Sequence, residues 1–433
     1  MKLMNVKGTY DYLKEKQNTR EYVTDTLKEV FKKYGYQSLE TPILCYYDLL
    51  ASKYGGGAEI LKEVYKLTDQ GERELGLRYD LTVPFAKVVA MNVNKTIQTP
   101  FKRYEIGKVF RDGPVKVGRN REFTQCDVDV IGIKSMMIDA EFIALYVEAF
   151  KKLNIEIEIE YNNRKLLSGF IIESGIPEEI TKETITIVDK FKKLTKEELE
   201  TEFICLDIKP ESYNKLLTYL TYDFETIKKE FSNTNNQILK EGIEELEELN
   251  SYIKYMNLED YVVFTSSLAR GHDIYTGTVY EVFIKSREFT SSIGAGGRYD
   301  KIITNFVNDG NEYPAIGISF GLDIICEILE KQQSENTKSI IDLYIIPLET
   351  EKESLLLANN LRCAGINVDL AMTNQKLKKS LNYANKENIP FVIILGKDEI
   401  TNNEIVIKNM INSTQEKVNL NDIEKIKEII YNN

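Results

Sequence analysis

One stretch of the chain concentrates residues able to handle phosphate. Arg103 to Gly132 reads RYEIGKVFRDGPVKVGRNREFTQCDVDVIG. An apolar run (Ile106, Val109, Phe110) leads into Arg111, and a polar loop with Gly113, Pro114 and Gly118 follows. The chain returns through Arg119 and Arg121 into an alternating run, Phe123, Gln125, Asp127 and Asp129. This spacing predicts a β-hairpin with a long loop and charges fixed on both arms. Arginines on adjacent strands suit a polyphosphate, because a guanidinium fork matches phosphate oxygens bidentately. The Gln and Asp side chains of the return strand would face a small polar ligand. A charged surface hairpin is the plainer alternative, and the charge pattern by itself leaves both open.

The residues themselves favour the first reading. FRDGPVKVGRNREFTQCDVDVIG resembles motif 2 of the class II aminoacyl-tRNA synthetases, in its histidyl form. Gly35 to Pro42 (GYQSLETP) resembles motif 1, and Leu77 to Pro84 (LRYDLTVP) resembles the family's amino-acid-binding turn. Ser266 to Glu281 (SSLARGHDIYTGTVYE) and Gly294 to Asp300 (GAGGRYD) are similar to segments special to histidyl enzymes. Ala315 to Ile325 (AIGISFGLDII) sits where motif 3 belongs, and Gly396 to Met410 resembles the end of the family's anticodon-binding domain. These segments occur in family order along most of the chain, which is more specific than any single motif.

The resemblance implies a ligase that joins histidine to tRNA(His) by way of an adenylate, with ATP and Mg2+. That chemistry needs positioning and charge stabilisation more than acid–base work, so a site rich in Arg and poor in His suits it. By resemblance, Arg111 meets the α-phosphate and the substrate carboxylate, Arg119 the outer phosphates, and Arg270 the transition state at phosphorus. Asp80, Thr82 and Gln125 match residues around the α-amino group. Asp129 and Tyr275 match residues that pair with the imidazole nitrogens, with Tyr299 lining the same pocket. No residue is implied as a metal ligand. Some positions depart from the family: Ile324 stands where motif 3 has an arginine that stacks on adenine, His272 and Ile274 stand where Leu and Tyr are usual, and Gly113 stands where many members have Glu. These changes bear on ATP affinity and turnover. A rival with the same fold is a non-catalytic paralogue such as the regulatory subunit of ATP phosphoribosyltransferase, which needs no anticodon reader.

The elements that must position these residues follow from periodicity. Residues 20–34 place Val23, Leu27, Val30, Phe31 and Tyr34 at helical spacing before Gly35. Strands are expected at Gln37–Pro42, Glu63–Leu67 and Gly76–Tyr79, and a helix at Asp139–Leu153. Ile155–Tyr161 (IEIEIEY) alternates strictly and predicts a strand with one wet face. Together these give an α+β catalytic domain over residues 1–330, an antiparallel sheet flanked by helices. A Lys- and Glu-rich helical insertion interrupts it at about 175–249. Lys331–Lys338 reads as a linker. Residues 339–433 alternate strand and helix: strands at Leu343–Ile346, Ile366–Leu370, Phe391–Leu395 and Glu404–Ile407, helices at Glu351–Cys363 and Gln375–Lys386. This predicts a small α/β domain with a largely parallel sheet, the anticodon-binding domain by resemblance.

Composition excludes other classes. A chain of 433 residues, 42% hydrophobic and 29% charged, has globular proportions. No apolar run reaches the roughly 20 residues that span a bilayer, and the first residues lack a signal-peptide core. Five scattered cysteines without a CxxC pair point to the reducing cytoplasm and away from structural zinc, and a single histidine makes a His-based metal centre implausible. A net charge of −12 argues against a non-specific nucleic-acid coat, while tRNA can still bind a local basic face. A homodimer is expected from the motif 1 resemblance.

Overall fold

A computed structural model describes residues 3–52, 62–93, 95–115, 120–270, 274–332, 339–372 and 376–432. The chain divides into two units, Met1–Leu329 and Glu330–Asn433. In the first unit the strands are β1 (Gln37–Ser38), β2 (Leu44–Tyr46), β3 (Lys66–Thr68), β4 (Glu74–Leu77), β5 (Phe101–Phe110), β6 (Glu122–Ile131), β7 (Ile157–Asn163), β8 (Val262–Phe264), β9 (Thr278–Ile284), β10 (Gly294–Arg298) and β11 (Ala315–Gly321). The main sheet runs β1-β5-β6-β11-β10-β9-β7-β8, and β2-β4-β3 form a small separate sheet. The main sheet is antiparallel in its interior, and parallel pairs, β1 with β5 and β7 with β8, close its two edges.

Alternation along the central strands divides the sheet into a dry face and a polar one. On β6, Cys126, Val128 and Val130 enter the core; on β11, Ile316, Ile318 and Phe320 do the same. The helices Glu15–Lys33 and Met137–Lys152 pack on that face. Phe320 is the meeting point, with the rings of Phe31, Tyr146 and Phe150 at 5.6, 4.8 and 5.5 Å. The first helix buries Val23, Leu27, Val30 and Phe31 of the expected stripe, while Tyr34 falls just past its end and is half-buried; the helix begins at Glu15, before the expected start. Gly35 follows it at φ 81°, the left-handed conformation that favours glycine after a helix.

Several strand expectations change: the strand read at Glu63–Leu67 forms only at Lys66–Thr68, and that read at Gly76–Tyr79 forms at Glu74–Leu77. The strand read at Gln37–Pro42 is only the two-residue β1. The strand read at Ile155–Tyr161 forms as Ile157–Asn163, and its wet face is partial: Glu156, just before it, is exposed and Glu158 half-buried, while Glu160 is only 6% exposed. The Glu160 carboxylate is covered because Arg287 (3.0 Å) and Lys192 (2.6 Å) pair with it, so the face dries out toward the end of the strand. Helices then occupy most of the chain between Arg164 and Tyr255 before the return through β8. Within this module the helix Gln237–Tyr255 crosses Arg164–Glu173 at close range. A Cβ at Gly242 would lie 2.4 Å from the Leu166 nitrogen, and one at Gly169 would lie 2.6 Å from the Leu239 Cβ.

The second unit contains β12 (Leu343–Pro347), β13 (Val368–Leu370), β14 (Phe391–Leu395), β15 (Glu404–Asn409) and β16 (Gln415–Asn419), in the order β13-β12-β14-β15-β16. The first three are parallel, and β15 and β16 add antiparallel strands, so the sheet is mixed where a largely parallel one is expected. The helix Leu322–Gln332 takes in Lys331 and Gln332 of the stretch read as linker, and 333–338 lie outside the described residues.

Alanine normally stabilises a helix interior relative to glycine by about 1 kcal/mol. At the crossing the opposite is expected. Gly242→Ala should lower unfolding stability by roughly 1–3 kcal/mol through overpacking, read by chemical denaturation. A stabilised variant would mean that the two helices do not touch as described.

Candidate active site

Small residues in mid-sheet make a hollow. One row of cross-strand partners runs Glu160, Glu281, Ala295, Ser319, Asp127, Glu105. The next runs Asn162, Val279, Gly297, Gly317, Asp129, Arg103. Alanine, serine and glycine occupy the middle of each row, and charged groups stand on one or both sides. A cleft of about 260 Å³ opens there. Close approach requires the glycines: a Cβ at Gly317 would lie 2.0 Å from the Asp129 Oδ1, and one at Gly296 would lie 2.2 Å from the Gly317 carbonyl oxygen.

Eight of the nine residues singled out in the sequence line this one cleft: Asp80, Thr82, Arg111, Gln125, Asp129, Arg270, Tyr275 and Tyr299. They come from a helix start, three strands or strand ends, and two loops. The ninth, Arg119, lies outside the described residues, as does His272. Arg111 ends the first arm of the hairpin, which pairs β5 with β6 from Phe101–Ile131 to Phe110–Glu122. Its guanidinium lies 4.2 Å from the Tyr79 ring centroid and 4.8 Å from that of Phe123. Arg270 stacks on Tyr275 at 5.3 Å and meets Glu281 at 3.3 Å. Asp80 accepts from the Val83 N–H at 3.0 Å, tying the turn to the helix Thr82–Asn92.

Beneath the polar side chains lies a buried charge cluster. Arg103 has no exposed surface; its Nη2 is 2.7 Å from Asp129 and its Nη1 3.6 Å from Glu105. The Phe85 ring lies 4.1 Å from its guanidinium carbon. Glu105 also accepts from the Thr41 N–H (2.9 Å) and from Arg78 (2.8 Å). The Tyr299 hydroxyl donates to Asp129 from the other side. Burial raises the carboxyls of Asp127 and Asp129 above their usual range, and Arg103 pulls both back; Asp127 stands at about 7, helped up by the charge of Asp129. Gln125 lies 3.5 Å from both Asp127 and Ser319.

Sequence reasoning gave no role to Arg103, and set Asp127 among the return-strand residues facing a small polar ligand without a role of its own. Asp127 carried a signal, since it falls between Gln125 and Asp129 on the same face of β6. Arg103 carried only its place one strand over. The departures also have structural settings. Ile324 is partly buried against the main core, and its neighbour Asp323 binds Arg20, the Tyr12 hydroxyl (3.2 Å) and the Thr124 N–H (3.2 Å). At Gly113 a Cβ would lie 2.9 Å from a Glu63 carboxylate oxygen, so a carboxylate from another segment fills that space.

A family model described as "Histidyl-tRNA synthetase" matches residues 8–325, and one described as "Anticodon binding domain" matches 342–429. "Histidine--tRNA ligase 1" of Bacillus cereus is 48% identical over 430 residues, covering 98% of this chain and 99% of its own. "Histidine--tRNA ligase, cytoplasmic" of Dictyostelium discoideum is 35% identical, covering 99% and 92%. The crystal structure of histidyl-tRNA synthetase from Nostoc sp. PCC 7120 superposes with a TM-score of 0.87 at 28% identity, covering 99% of this chain and all of that one. Matched by the family's model through its first unit and by these relatives along nearly its whole length, the chain belongs to the histidyl-tRNA synthetase family.

Proposed function

We infer that the chain activates histidine with ATP and transfers it to tRNA(His). The observation that carries the site assignment is the convergence of Arg111, Arg270, Asp129 and Tyr275 on one cleft. In this reading the imidazole lies between Asp129 and Tyr275, beside Tyr299. Imidazole can donate at one nitrogen and accept at the other, so a carboxylate and a phenol read its shape and protons. Asp129 is suited to this task because Arg103 and Tyr299 already fix it. The α-ammonium group falls to Asp80, Thr82, Gln125 and the newly placed Asp127.

The histidine carboxylate then attacks the α-phosphorus of ATP, and pyrophosphate leaves. Arg111 orients both reacting groups; Arg270 neutralises charge that develops on the α-phosphate oxygens. Phe123, against Arg111, offers an aromatic face for the base. In the second step a terminal ribose hydroxyl of tRNA attacks the adenylate carbonyl and AMP leaves. Arg119 is kept as a contact for the outer phosphates. Mg2+ would accompany the nucleotide, since it commonly binds through phosphates and one or two carboxylates; among the described residues no three His, Cys, Asp or Glu side chains gather to hold an ion by themselves.

Residues 339–433 are proposed to read the anticodon stem, the helical insertion to lean on tRNA, and 331–338 to join the units. A homodimer is supported by exposed apolar side chains on and beside the small sheet: Ile43, Leu44, Tyr46 and Leu67. A cytoplasmic setting is supported by five free cysteines. No helix of the described residues is long and apolar enough to cross a membrane. The regulatory-subunit reading is disfavoured, because ligases match the chain along both units.

Purified protein should exchange labelled pyrophosphate into ATP only when histidine is present. Absence of exchange at high enzyme and millimolar ATP would overturn the catalytic reading.

A second expectation concerns protons. An arriving ammonium group favours ionised Asp127, whose carboxyl titrates at about 7 in the free site. Histidine binding near pH 7 should therefore release protons from it, and affinity should fall as pH drops through 7. Calorimetry in buffers of different ionisation enthalpy measures the release. Asp127→Asn should remove this part and leave the imidazole's own titration. An identical proton count in both proteins would take Asp127 out of the pocket.

A further inference from the structure

Arg270 ends a loop that is held almost entirely by its main chain. Asn162, near the end of β7, is fully buried, and its Nδ2 donates to the carbonyls of Ser266 and Leu268, each at 2.9 Å. The Thr265 N–H donates to the Tyr161 carbonyl at 3.0 Å. The Ser266 hydroxyl donates to the Leu220 carbonyl of the helical module at 2.6 Å. The last link is Arg164: its Nη1 donates to the carbonyl of Arg270 itself at 3.1 Å. Arg164 does not line the cleft. It opens the helix Arg164–Glu173, its own N–H donates to the Gly277 carbonyl at 2.8 Å, and its side chain lines a second cavity of about 860 Å³ bounded by helices of the module.

The Arg270 side chain needs such support. The side chain is 18% exposed, its Nε has no hydrogen-bond partner among the described residues, and its carboxylate contact, Glu281, is long at 3.3 Å. Beyond the Tyr275 ring and this one long ion pair the side chain has little to hold it, so the place of its Cα, set by its peptide, bears on where the guanidinium can reach. A hydrogen bond from a charged donor is about twice as strong as a neutral one. Arg164 applies one to the peptide that carries the guanidinium.

We propose that Arg164 is a positioning residue for adenylate formation: by gripping the Arg270 carbonyl from outside the cleft it holds the guanidinium in line for the reacting phosphate, and Asn162 fixes the loop behind it. This rests on the reading of Arg270 as a transition-state contact. It makes the helical module part of the catalytic apparatus, because the helix that Arg164 opens packs within that module. A misplacement of about 1 Å can cost 10²-fold in rate, so loss of this grip should cost about 10-fold or more in turnover. Ground-state binding of histidine and ATP should hardly change, since neither is touched by Arg164.

The test is histidine-dependent pyrophosphate exchange with the full chain in five forms: the natural protein, Arg164→Ala, Arg164→Lys, Arg270→Ala and the Arg164→Ala/Arg270→Ala double variant. The proposal expects Arg164→Ala to lower kcat by about 10-fold or more with both KM values within about 2-fold. Arg164→Lys, which keeps a charged donor, should recover part of the loss. In the Arg270→Ala background the Arg164 change should have no further effect, because both changes act through one group. Full turnover by Arg164→Ala, or an equal fold-loss in both backgrounds, overturns the proposal. A fully active Arg270→Ala overturns the underlying reading of Arg270, and the proposal with it. Should Arg164→Ala fail to fold, Arg164→Met, which keeps the aliphatic stem and lacks the donor, decides with and without Arg270→Ala on the same criterion.

Discussion

The site depends on a cation that nothing outside the protein can touch. Arg103 lies beneath the cleft floor with no exposed surface, against Asp129, Glu105 and the Phe85 ring. A buried charge without partners is prohibitive, and removing one partner of a buried pair costs about 3–5 kcal/mol. The arrangement closes the account locally. Arg78 serves Glu105, Glu105 and Asp129 serve Arg103, and Tyr299 serves Asp129. The five residues come from four elements: Arg78 from the strand end before the helix Thr82–Asn92, Glu105 and Arg103 from β5, Asp129 from β6 and Tyr299 from the end of β10. Asp129 is thus both the partner of buried Arg103 and the wall of the pocket, which ties histidine recognition to the folding of the sheet.

The hollow above this cluster exists because the sheet omits side chains where it needs room. Ala295, Gly297, Gly317 and Ser319 lie side by side across β10 and β11, with bulk only on the opposite face, where Ile316, Ile318 and Phe320 fill the core. A pleated sheet sends neighbours to opposite faces. The run Ala-Ile-Gly-Ile-Ser-Phe-Gly of β11 therefore writes a floor and a core in the same seven residues.

That pattern explains how much could be read in advance. The hairpin, the polar file on β6 and the glycine-rich turn are local signals, and the structure brings eight of the nine chosen residues to one cleft. The buried network was harder to see. Arg103 looks like any strand arginine until β5 and β6 are in register and Asp129 stands opposite it. Asp127 looked like one more alternate residue until burial made its charge expensive. The alternation of β7 predicted a wet face along its whole length, which holds at Glu158 and fails at Glu160, because periodicity cannot know that Lys192 and Arg287 will cover that one carboxylate. The antiparallel half of the second unit escaped for a similar reason: β16 (QEKVN) has too little apolar content to announce a strand, and it forms because β15 offers it an edge.

The central claim is that one cleft reads the imidazole with Asp129 and Tyr275 while Arg111 and Arg270 hold the reacting phosphate. A crystal structure of the chain with histidine and a non-hydrolysable ATP analogue tests it most directly. The imidazole should lie between Asp129 and Tyr275, and the α-phosphate should lie within hydrogen-bond distance of both arginines. Histidine bound elsewhere, or a phosphate chain that leaves both arginines untouched, would contradict the account.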